Sequence, residues 1–98
     1  MESDFLIVGG GSAGATLAAR LSANPAVTVT LLEAGPDYRS ADAPAAMRSA
    51  NPSNVITEPE YARFRWDELK ARRTRVQKPR VFWRGRGLGG SSAVNGQI

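Results

Sequence analysis

An α/β fold organised around a parallel sheet is what this 98-residue sequence predicts, and three stretches carry the prediction. "DFLIV", Asp4 to Val8, is a short and nearly unbroken apolar run, the pattern of a strand covered on both faces. "GGGSAG", Gly9 to Gly14, follows it with no linker between. "VTVTLLEAG", Val27 to Gly35, is rich in β-branched residues and reads as a second strand.

Between the two strands, Ala13, Leu17, Ala18 and Leu21 recur at helical spacing, while Thr16, Arg20 and Ser22 face the other way. Ala23-Asn24-Pro25 ends that helix, because the residue before a proline avoids helical geometry. Strand, glycine turn, helix and strand make a βαβ unit. Its expected core is Phe5, Ile7, Val8, Leu17, Leu21, Val29, Leu31 and Leu32. Two strands and one helix leave a parallel sheet wanting cover, so the domain is expected to be incomplete and of marginal stability alone. From Pro36 to Ala62, Pro36, Pro44, Pro52 and Pro59 punctuate a long polar excursion, with a short helix expected near Ala43 to Ser49. Phe64 to Arg73 fits a helical turn and an extended segment equally well.

Composition narrows the chemistry. With no cysteine, the chain holds no disulfide, thiolate zinc site or thiol nucleophile; with no histidine, it lacks the usual acid–base residue near neutral pH. The commonest metal ligand is absent with it, and no metal site is expected. Residues 1–62 carry three basic and seven acidic side chains, a net of −4, and residues 63–98 carry ten basic and two acidic, a net of +8. Such a basic half raises nucleic acid as a partner. It contains no recognisable nucleic-acid-binding motif, and arginine-rich loops commonly face solvent or phosphate, so no nucleic-acid partner is expected. No run of 18 apolar residues is present, and "MESDFLIV" lacks a basic region ahead of its apolar run. A cytoplasmic location without a membrane span is the expectation.

Gly9-x-Gly11-x-x-Gly14 is a weak signal by itself and a strong one here, after a strand and at the mouth of a helix. The first glycine permits a tight turn, the second lets a pyrophosphate approach the backbone, and the third lets helix and strand pack closely. Free amides and the positive end of the helix dipole attract the anion. Glu33, nineteen residues after Gly14, stands where a carboxylate hydrogen-bonds the hydroxyls of an adenosine ribose. It would repel a 2′-phosphate, which disfavours NADP. The fold is thus Rossmann-type, and at this point FAD and NAD both remain open.

A second glycine-rich stretch, "RGRGLGGSSAVNG" from Arg84 to Gly96, bears on that choice. Its glycines let the backbone pass close to a ligand, Ser91, Ser92 and Asn95 offer short polar groups, and Arg84 and Arg86 can offset phosphate charge. A site for NAD has no evident use for a second such loop. A longer dinucleotide ending in a ribityl chain and a flavin ring does. "GGGSAG", "LLEAG" and "RGRGLGGSSAVNG", in that order, resemble the amino-terminal region of the glucose–methanol–choline (GMC) oxidoreductases.

The resemblance implies that Gly9, Gly11, Ser12, Ala13 and Gly14 line an FAD pyrophosphate, with Glu33 on the adenosine ribose and Ala34 beside it. It implies that the backbone of Arg84 to Ser91, with Gly85, Leu88, Gly89 and Gly90 in it, wraps the middle of the cofactor, and that Asn95 and Gly96 lie near the ribityl chain and the flavin ring. In some relatives a histidine just before the asparagine carries the flavin covalently; Val94 stands there, so a non-covalent FAD is expected. Trp66 and Trp83 are partial echoes of an aromatic-rich family segment and receive no role. The family is several hundred residues long, so residues 1–98 are expected to be the amino-terminal part of its FAD-binding domain, without the substrate domain and the histidine base. The whole enzyme would oxidise a small-molecule alcohol by hydride transfer to FAD. Two other readings stay open: a non-catalytic dinucleotide-binding module, and part of an NAD-dependent dehydrogenase.

Overall fold

The structure is a computed structural model that describes residues 2–50 and 54–94. Strand β1 spans Phe5–Val8, helix α1 Ser12–Leu21 and strand β2 Val29–Leu32. The strands pair in parallel, with Phe5 opposite Val29 and Val8 opposite Leu32. This is the expected βαβ unit. Helix α1 begins two residues before Gly14, so that glycine lies inside the first turn, where a Cβ would overlap the carbonyl oxygen of Gly9. Close strand–helix packing is therefore what Gly14 permits. The helix ends as expected: the Asn24 side chain accepts from the Ala26 amide at 3.0 Å and the Asn24 carbonyl from the Val27 amide at 3.0 Å. The start of β1 is clipped to β2 by Asp4, whose Oδ2 accepts from the amide and the hydroxyl of Thr28 at 2.8 and 2.9 Å.

The second half is built from short elements. Helix α2 (Ala45–Arg48) falls within the stretch expected to be helical, and α3 (Asn54–Thr57) leads into a 3-10 turn, Pro59–Phe64. Strands β3 (Lys70–Ala71) and β4 (Arg80–Val81) form a small antiparallel hairpin, and a further 3-10 turn covers Gly90–Val94. The ambiguous stretch from Phe64 is thus mostly extended, because Arg65 bridges Gly85 and the Trp66 amide donates to the Arg84 carbonyl at 2.9 Å. Among the described residues, no helix is long and apolar enough to cross a membrane.

The core corrects the expectation. Of the eight predicted core residues only Ile7 is buried; Val8 is 79 % exposed, and Phe5, Leu17 and Leu32 are exposed as well. Leu21, Val29 and Leu31 are half-buried. One helix covers one face of a two-stranded sheet, and the face bearing Leu6 and Val8 has no cover among the described residues. The main hydrophobic cluster lies instead in the second half, where Val55, Phe64 and Val94 are buried under Tyr38, Met47 and Tyr61. Tyr38 meets Phe64 edge-on, with ring centroids 5.7 Å apart. Arg65, only 8 % exposed, braces this cluster. Its Nη1 donates to the carbonyls of Val55 and Glu58 at 2.8 and 2.7 Å, and its Nε pairs with Asp67 at 2.6 Å.

Candidate functional site

The two glycine loops, about eighty residues apart in sequence, meet in space. Gly11 and Gly89 form a parallel bridge, and the Gly89 amide donates to the Gly10 carbonyl at 2.9 Å. The hydroxyls of Ser12 and Ser92 share a hydrogen bond of 2.7 Å. Backbone lies on backbone here: a Cβ on Gly90, whose φ is +56°, would come within 2.9 Å of the Gly11 Cα. A Cβ on Gly85 would overlap the Gly90 carbonyl, which holds the second loop in its own tight fold.

Beside this junction opens a cleft of about 580 Å³, within the range of small-molecule and cofactor sites. The β1 side contributes Val8, Gly9 and Gly11, and the end of β2 contributes Leu32, Glu33 and Ala34. The second loop contributes Arg84, Gly85, Gly87, Gly90 and Ser91, and Trp66 closes one side. Eight of the sequence-predicted site residues thus share one wall-to-wall cavity. Ser12, Ala13 and Gly14, in the first turn of α1, and Leu88 and Gly89 do not line it; Leu88 packs where a Cβ of Gly10 would go, and Gly89 bridges Gly11. Asn95 and Gly96 lie outside the described residues.

Several features suit the cleft to an anionic, extended ligand. Among the described residues no side chain caps α1, and its first turn holds no acid, which suits the amides of that turn to an anion. Among the described residues, Gly11 has space in front of its Cα, the nearest obstacle to a Cβ being Gly90 at 3.8 Å, and nothing stands within 4 Å of a Cβ on Gly9. Both openings are what a pyrophosphate needs to reach the backbone. Arg84 stacks on Phe82, 3.7 Å from the ring centroid, and sets a cation at the rim. Arg86 is differently employed: its Nε donates to the Ala34 carbonyl at 3.0 Å and its guanidinium lies 4.8 Å over Trp66.

Glu33 is the charged centre of the cleft. Its Oε2 accepts from the Gly10 amide at 2.7 Å, and its Oε1 accepts from the amides of Gly35 at 2.8 Å and Gly87 at 2.9 Å. Burial pushes its pKa up, and the amides of Gly10, Gly35, Gly87 and Ala34 outweigh that, so the carboxyl stays below its ordinary value and ionised. The same charge, added to burial, raises the pKa of Tyr38.

Sequence reasoning left Gly35 and Trp66 without a role and counted Gly87 only as part of the second loop's backbone. Gly35 packs its Cα so closely on the Arg86–Gly87 peptide that a Cβ would overlap it. Its signal was the glycine two residues after an acid at a strand end. Gly87 (φ +137°) offers its amide to Glu33, and Trp66 supplies an aromatic wall.

A βαβ unit with a glycine turn, an acid at the end of its second strand and a second glycine loop clasped against the first defines a dinucleotide-binding flavoprotein fold. The comparisons agree with this class. The family model described as "GMC oxidoreductase" matches residues 3–98, and the chain belongs to that family. Oxygen-dependent choline dehydrogenase of Xanthomonas axonopodis pv. citri is 42 % identical over 97 residues, which cover 97 % of this chain and 16 % of that protein. The namesake from Pseudomonas savastanoi pv. phaseolicola shows the same identity and coverage. Among solved structures, pyridoxine 4-oxidase from "Mesorbium loti" superposes with a TM-score of 0.71 at 33 % identity, covering 97 % of this chain and 18 % of that one. A formate oxidase of Aspergillus oryzae RIB40, solved in a study of FAD modification, superposes with a TM-score of 0.63 at 35 % identity, covering 95 % of this chain and 16 % of that one. The chain therefore spans about a sixth of the length of the relatives it matches.

Proposed function

We propose that residues 1–98 are the amino-terminal part of an FAD-binding domain, and that the whole protein is a flavin-dependent oxidoreductase acting on the CH–OH group of a small alcohol. The observation that carries this reading is the meeting of Gly11 with Gly89 and Gly90 at one cleft edged by Glu33. Choline dehydrogenase and pyridoxine 4-oxidase, by their names, act on hydroxyl-bearing small molecules, which supports the same substrate class.

In this reading the first-turn amides at Ser12, Ala13 and Gly14 bind the pyrophosphate, with Gly9 and Gly11 giving it room. Glu33 takes an adenosine ribose hydroxyl and excludes a 2′-phosphate by charge, with Ala34 beside it. The backbone from Arg84 to Ser91, including Gly85, Leu88, Gly89 and Gly90, lies along the middle of the ligand. Asn95 and Gly96 follow toward its ribityl and ring end. FAD, when bound, supplies the hydride acceptor. The chain's own contribution is binding and orientation, since it has no histidine to take the hydroxyl proton. Val94, at the position that tethers flavin in some relatives, is packed against Val55 and Phe64 and bears no nucleophile, which supports a non-covalent cofactor.

The test is the spectrum of the protein expressed from its complete reading frame. A yellow protein with flavin bands, releasing intact FAD on denaturation, is expected. A colourless protein that binds NAD, or a flavin retained after denaturation, contradicts the reading in its first or its second part. The 98 residues alone, supplied with FAD, a primary alcohol and a dye acceptor, are expected to show no turnover.

A further inference from the structure

We infer that Glu33 is a positioning residue as well as a ligand for ribose: its carboxylate docks the second glycine loop onto the first before any cofactor arrives. Three separate pieces of backbone converge on it, namely Gly10 in the first loop, Gly35 after β2 and Gly87 in the second loop. Side-chain packing between the loops at this point comes from Leu88, which lies against Gly10. Gly10 and Gly87 are both buried and offer only peptide groups, so a fixed anion between them is what satisfies both amides. The remaining ties between the loops are the Gly89 amide on Gly10, the Ser12–Ser92 pair, and Arg86 on the Ala34 carbonyl. All are single hydrogen bonds; of these the Arg86 bond is charge-assisted by its guanidinium, while the bonds to Glu33 are several and are charge-assisted by the carboxylate.

The Ala34 amide also bonds the Glu33 carboxylate, so four backbone donors surround it. The role of Glu33 toward a ribose rests on the FAD reading; the docking of the loops does not.

Two measurements on the protein expressed from its complete reading frame, with its glycines labelled with nitrogen-15, test the docking, and a third its effect on ligand. First, the amide resonances of Gly10, Gly35 and Gly87 are followed from pH 7 to pH 2 by nitrogen-15 NMR. All three are expected to move with one midpoint, below the ordinary glutamate range. The other titratable or charged groups nearby are Tyr38, whose pKa burial and then the Glu33 charge raise, and the guanidinium groups of Arg84 and Arg86. A Gly87 amide that ignores the midpoint shared by Gly10 and Gly35 overturns the proposal. Second, Glu33→Gln is expected to speed amide exchange at Gly87 and Gly89 by about ten-fold or more, with Ile7 and Leu31 within about twofold of the parent. Equal exchange at Gly87 in the two proteins overturns it. Should the variant fail to fold, the titration of the unmodified chain decides. Third, binding of riboflavin 5′-phosphate, which has no adenosine, is compared in the two proteins. Weakening by about ten-fold or more fits a docked loop, and unchanged affinity means that Glu33 acts through the ribose alone. If the unmodified chain takes up neither this flavin nor FAD, the FAD reading fails while the first two measurements still judge the docking.

Discussion

Gly90→Ala probes the junction of the two loops at its tightest point. Gly90 sits at φ +56°, a left-handed conformation that costs an L-residue about 1–2 kcal/mol. Its new Cβ would lie 2.9 Å from the Gly11 Cα, a backbone atom that cannot swing aside as a side-chain end would. Overpacking of that kind costs about 1–3 kcal/mol. The two effects together come to roughly 2–5 kcal/mol, relieved by parting the loops. If a ligand needs the loops together, its binding bears that cost, and 1.4 kcal/mol is about tenfold in Kd. FAD affinity is therefore expected to fall by about thirty-fold or more, read by quenching of flavin fluorescence on titration. ADP, which needs only the first loop, is expected to bind the variant within about threefold of the parent. FAD affinity unchanged in Gly90→Ala would refute the reasoning, because it would mean that the ligand does not span the junction.

Stability is expected to fall in acid. Glu33 and Asp4 both have folded pKa values below their ordinary ones, Glu33 because backbone amides outweigh burial and Asp4 because of the Thr28 amide and hydroxyl. The contribution of a depressed carboxyl is complete above its unfolded pKa and is lost as pH falls through the folded one. Thermal midpoints should hold from pH 7 to about 5 and drop below about 4, and a flat profile to pH 2 would contradict this. Arg65→Ala removes the buried guanidinium and leaves the Val55 and Glu58 carbonyls unpaired. Urea unfolding of the protein expressed from its complete reading frame is expected to show a loss of about 3–5 kcal/mol, and a loss under 1 would remove Arg65 from the account. Labelled duplex DNA should bind weakly and let go with salt; sub-micromolar, salt-resistant binding near 150 mM salt would reinstate the nucleic-acid reading.

What the sequence discloses and what it conceals divide along a physical line. The βαβ unit is legible because its signals are local: an apolar run, glycines at fixed spacing and helical periodicity over one short stretch. Glu33 is legible by its distance from Gly14, and the second loop by its glycine content. The core is not legible. Phe64 sits in a 3-10 turn and Val55 in a four-residue helix, and neither element is long enough to show a period. Their partner Val94 comes from a loop about thirty residues further on, so only tertiary contact joins them. The apolar residues of β1 and β2 do carry the expected pattern, yet half of it faces outward because one helix covers one face. The backbone donors gathered by Glu33 are hidden for another reason, since peptide amides leave no mark in a sequence. Trp66 gave a faint signal, an aromatic beside an arginine, with nothing local to link it to a glycine loop twenty residues later.

Hydrogen–deuterium exchange in the presence of FAD and of AMP tests the central claim most directly. If one flavin dinucleotide lies across both loops, FAD slows exchange in the segments 9–14 and 85–91 together, while AMP slows the first alone. Protection by FAD confined to residues 9–14, with 85–91 exchanging as in the free protein, would contradict the claim.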